Sequence, residues 1–81
     1  MEIHLIEGHF NANDALDIIT QMIHVKIKYH ENKINKDSDE SDMKARESKI
    51  KSLQKELFEL RKLLNSQSAS VKLSSVIHID F

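Results

Sequence analysis

"MKARESKIKSLQKELFELRKLLN", residues 43–65, decides the architecture. Met43, Ile50, Leu53, Leu57, Leu60 and Leu64 fall on the a and d positions of a heptad repeat, with Arg46 the single interruption. Because about 3.6 residues complete a helical turn, such spacing gathers these side chains along one side of an α-helix. The spacing predicts a helix over about 41–65 that lies lengthwise against a second helix at a shallow angle.

Almost opposite the seam run Lys44, Lys51, Lys55 and Lys62. Residues 43–66 carry seven basic and three acidic side chains, so a contact surface for a nucleic-acid backbone is one reading. The other is the solvated face of an amphipathic helix. It is favoured because Glu47, Glu56 and Glu59 break the field and no aromatics interleave for base stacking. Phe58 lies off the seam towards the lysines. An exposed phenylalanine is costly there, so it is assigned to a contact, with a second subunit preferred over the sheet.

Upstream, "NKDSDESD", residues 35–42, is a polar acidic link rich in capping residues. Asp37, Asp39, Glu40 and Asp42 suit the positive end of the helix dipole. The link lacks the central glycine and terminal glutamate of a calcium loop. Before it, residues 12–34 carry two apolar rows: Leu16, Ile19, Ile23 and Ile27 in one, and Ala15, Ile18, Met22, Val25 and Tyr29 in the other. So wide a stripe predicts an amphipathic helix touching more than one neighbour. Asn11 is a candidate cap with Asp14 closing a capping box, and Asn13 competes for the same role. Two helices of similar length and a short link predict an antiparallel hairpin. Arg46 then faces the polar end of the first helix, near Lys26, His30 and Lys33, and the core gathers at the hairpin base.

The two ends read as strands. Residues 1–7 alternate, with Met1, Ile3 and Leu5 on one face and Glu2, His4 and Ile6 on the other. Gly8 permits a bend, with His9 beside it. There His9 could join a ligand set or sit near backbone N–H groups that bind an anion, although ordinary surface is the commoner role. "SQSAS", residues 66–70, leads out of the second helix, and residues 71–81 alternate again with apolar side chains at odd positions. The order strand–helix–helix–strand predicts an α+β single domain over 1–81, with an antiparallel strand pair across the open end of the hairpin. A lone strand pair exposes two edges, which predicts a homodimer or larger assembly.

The even-numbered strand face assembles Glu2, His4, His78 and Asp80. If His4 stood opposite His78, these four would form a candidate site for a divalent metal such as zinc, with Glu2 unfavourably opposite Asp80. Registers shifted by two residues place Glu2 opposite His78, or His4 opposite Asp80, and need no metal. Those registers are favoured. His24 and His30, six residues apart, do not share a helix face and do not form a ligand pair.

Composition narrows the function. The 81 residues suit one small domain; with no cysteine, disulfides and thiolate zinc ligands are excluded. A net charge of −1 gives no global pull towards nucleic acid. No run approaches the roughly 20 apolar residues of a membrane span. "MEIHLIE" at the start lacks the basic-then-apolar order of a secretion signal, so a cytoplasmic location is expected. No cysteine nucleophile or glycine-framed serine is present, and no catalytic residues or cofactors are assigned.

With "EGHF", the polar hairpin and the closing "VIHIDF", the chain resembles small uncharacterised bacterial proteins, a resemblance that spans most of its length and implies no activity or site. The expected function is therefore a non-catalytic, self-associating structural or protein-interaction module. The alternative is a small metal-binding or nucleic-acid-binding regulator.

Overall fold

The computed structural model describes residues 1–35, 39–65 and 70–81. Its elements are β1 (Glu2–Phe10), α1 (Ala12–Lys33), α2 (Glu40–Asn65) and β2 (Val71–His78), an α+β arrangement in which β1 and β2 form one antiparallel two-stranded sheet. Asp37 of the acidic link, and residues 66–69 of the connection into β2, lie outside the described residues.

Capping fixes both helix starts. The Asn11 side chain accepts from the Asp14 backbone N–H at 2.8 Å and donates to the Asp14 carboxylate at 3.0 Å, so Asn11 rather than Asn13 caps α1. At α2 the Asp39 carboxylate accepts from the Asp42 N–H at 2.7 Å, so Glu40 and Asp42 belong to the first turn of the helix rather than to the link.

The helices form the expected hairpin. His30 of α1 meets Arg46 of α2, while Met22 and Ile23 share a groove with Leu53, the order that antiparallel packing requires. Leu53, Leu57 and Leu64 of the heptad seam are buried, and Met43, Arg46, Ile50 and Leu60 are partly so. On α1, Ala15 is wholly enclosed, but Val25 and Tyr29 emerge into solvent. That row therefore serves the core only as far as Met22.

The strand pattern needs a correction. β1 does not end at Gly8 but continues to Phe10, and His9 is a strand residue opposite Lys72. A bulge between His4 and Ile6 changes the phase of the strand. Before it, Ile3 pairs with Ile77; after it, Ile6, Gly8 and Phe10 pair with Ser75, Leu73 and Val71. The alternation read as Met1, Ile3 and Leu5 thus becomes Met1, Ile3, Ile6, Gly8 and Phe10 on the inner side, with Leu5 as the extra residue. Gly8 is required for another reason: its φ of +148° is a region that L side chains rarely adopt. Regular β2 ends at His78 rather than at Phe81, although Met1 and Ile79 still exchange hydrogen bonds of 3.1 and 2.8 Å.

The core is thin. Among described residues the buried apolar side chains are Ala15, Leu53, Leu57 and Leu64. The chain measures 47 × 33 × 14 Å with a radius of gyration of 15.5 Å, against about 12 Å for a compact domain of this length.

Candidate functional site

Three surfaces stand out, beside the lysine strip of α2. The first is the outer face of the sheet. Glu2 stands opposite His78 and His4 opposite Val76, so the two histidines do not face each other. Of the registers open to the sequence, the one realised at this end is the two-residue shift with Glu2 against His78. The Glu2 carboxylate lies 3.2 Å from His78 Nδ1, and Glu7 lies 4.0 Å from His4 Nδ1. All four side chains are more than half exposed, so each contact is a surface pair of small energetic worth. Asp80 is exposed beyond the end of β2. Among the described residues no group of three or more histidine, aspartate or glutamate side chains is arranged to hold a metal ion.

The second surface is apolar. On the inner side of the sheet, Ile6 and Leu73 join Ile19, Met22, Ile23 and Leu53 around a groove of about 330 Å³. Well-packed interiors leave few voids larger than a water molecule, so this opening marks incomplete closure of sheet on helices. Further along the same sheet side, Met1, Ile3 and Ile77 are 80%, 36% and 41% exposed. The groove and this open end form one apolar tract. Phe58 is separate: it does not join the core, is 58% exposed, and is shielded on one side by the Lys62 ammonium 4.8 Å from its ring centre.

The third surface is polar and lies between the helices. His30 is buried, with Nδ1 3.3 Å from an Arg46 guanidinium nitrogen, and Arg46 also pairs with Asp42 at 3.3 Å. Arginine only donates, so Nδ1 accepts and the neutral ring carries its proton on Nε2. Burial, then the positive charges of Lys49, Arg46 and Lys26, hold the imidazole below its ordinary pKa. His30 borders a cleft of about 390 Å³ together with Lys26, Tyr29, Ser48, Lys49 and Ser52. The sequence places Arg46 near His30, but the cleft beside them has no motif of its own. The only available signal was the count of cations converging on the hairpin from both helices.

The lysine strip of α2 is solvent-exposed throughout. Lys44 is tied to Glu40 at 3.1 Å and Lys62 rests over Phe58, which leaves Lys51 and Lys55 as the projecting charges of that face. His24 is exposed on α1, away from the buried His30. No described helix is long and apolar enough to cross a membrane.

No family model matches the chain, and neither does any curated protein or solved structure.

Proposed function

We propose that the protein is a self-associating interaction module without a catalytic role, and that a second copy of the chain covers the apolar tract of the sheet. The supporting observation is surface area. The chain exposes 6505 Å², whereas a compact protein of 9.4 kDa exposes about 5,000 Å². The excess of about 1,500 Å² is of the order that each partner buries in an obligate homodimer. It accompanies an apolar tract running from the Ile6–Leu73 groove to Met1, Ile3 and Ile77, with Phe58 offering a second contact on α2. Burying apolar surface is the main favourable term in association, and a partner identical to this chain needs no further component.

Sedimentation equilibrium across a hundredfold range of protein concentration tests the reading. The wild-type chain is expected to be a dimer or larger. Ile77→Asp would place a charge in the tract and weaken assembly by at least about tenfold. Phe58→Asp would do the same if the helix face takes part. A wild-type chain that stays monomeric at the highest concentration would refute the proposal. The competing regulator reading would appear instead as a metal-dependent rise in melting temperature or as salt-sensitive duplex binding.

A further inference from the structure

We infer that the cleft between α1 and α2 is a binding site for a small oxyanion of the phosphate class. Lys26 and Tyr29 on α1 and Ser48, Lys49 and Ser52 on α2 border it together with the buried His30. Neither Lys26 nor Lys49 has a carboxylate within ion-pair distance among the described residues. His30 is more than nine-tenths buried and its Nδ1 is occupied by Arg46; among the described residues its Nε2–H has no protein acceptor and is reached by solvent rather than enclosed. Two ammonium groups, one imidazole and two serine hydroxyls therefore border one concavity. A tetrahedral oxyanion supplies several acceptor oxygens for donors of this kind, and charge-assisted bonds to it are the stronger sort. The cleft has room for more than a phosphate group, at about 390 Å³.

The charges around His30 also fit an anion. From α1 it is faced by Lys26 and Tyr29; from α2 by Arg46 and Lys49, with Asp42 bound to the far side of Arg46 and Glu56 at the cleft border. Glu56 is the one carboxylate on that border, and burial first, then the three cations, depress the affinity of the ring for a proton. A bound anion would offset the cations, though not the burial, and so raise the affinity of the ring for a proton; binding and protonation of His30 are therefore coupled.

Tyr29 is the only tyrosine and the chain has no tryptophan, so intrinsic fluorescence reports on the cleft. The experiment titrates inorganic phosphate into the whole chain at constant ionic strength. It follows Tyr29 emission and the backbone amide shifts of residues 26, 29, 30, 48, 49 and 52. A saturable response is expected, abolished or weakened at least about tenfold in the Lys26→Gln, Lys49→Gln double variant. Lys51→Gln with Lys55→Gln, on the outer face of the same helix, should leave it unchanged. Sulfate, which does not titrate in this range, should compete with phosphate and move the His30 titration midpoint to higher pH. A response that chloride reproduces, that never saturates, or that survives the Lys26 and Lys49 substitutions would overturn the inference. So would a His30 midpoint indifferent to sulfate. Lys26 also borders the apolar groove, so the titration is repeated in the Ile77→Asp variant: a phosphate response retained there while assembly is lost separates failure of one proposal from failure of the other.

Discussion

Gly8 is held at φ +148°, and an added Cβ would meet the Phe10 ring only at 3.9 Å, ordinary van der Waals contact. The demand for glycine is thus a matter of backbone conformation rather than space. Gly8→Ala is expected to destabilise the chain by about 1–3 kcal/mol in urea denaturation. Asn11→Ala, which removes the cap bond to Asp14, should cost about 1 kcal/mol in the same assay. His30 adds a pH dependence. Its folded pKa lies below the ordinary imidazole value of 6.5, so below that pH the unfolded chain binds more protons than the folded one. Its contribution to stability is therefore present above pH 6.5 and is lost as pH falls towards the lowered folded value. His30→Asn keeps an acceptor for Arg46 but cannot titrate. Melting temperature measured from pH 8 down to pH 5 should fall less steeply in this variant than in the wild type. Equal slopes would assign the effect to other groups.

At the scale of elements, the heptad seam holds the hairpin together. Leu57 is 7% exposed, and Leu57→Ala is expected to cost about 2–4 kcal/mol. Val25, 71% exposed on α1, should tolerate alanine within about 0.5 kcal/mol in the same denaturation series. This contrast also shows what was legible in the sequence. The α2 seam was readable because its repeat is dense and local, and antiparallel geometry then brought Arg46 opposite His30. In β1 the pattern misled from Leu5 onward. The adjacent pair Leu5–Ile6 is the signature of a bulge, but it looks the same as an apolar residue on each face of a regular strand. Only pairing with β2 settles the phase, and that partner lies at the other end of the chain. The Glu2–His78 register was among the alternatives open to the sequence, yet apolar matching alone could not select it. The cleft beside His30 depends on side chains from two helices at once, which no single stretch displays.

As a whole, the molecule is broad and thin. If a second copy covers the sheet, the folded state gains stability from mass action, and the melting temperature should rise with protein concentration. Calorimetric scans at two concentrations a hundredfold apart provide the check, and coincident transitions would mark a self-sufficient monomer. Ile77→Asp should abolish the concentration dependence while leaving the helical circular dichroism of α1 and α2 in place, because those helices bury their seam against one another.

The joining of β1 to β2 has a consequence for how the chain is made. About 60 residues separate Phe10 from Val71, and synthesis at about 5–20 residues per second takes several seconds to bridge them. β1 therefore leaves the ribosome long before its partner exists, and α2, which ends at Asn65, is itself finished only shortly before β2 begins. During the wait β1 is a nascent segment with both edges open and Ile3, Leu5 and Ile6 unshielded. Gly8 and the charges of Glu2 and Glu7 discourage mispairing between neighbouring chains on the same messenger. The sheet closes last, and its closure signals that the chain has been made through to β2.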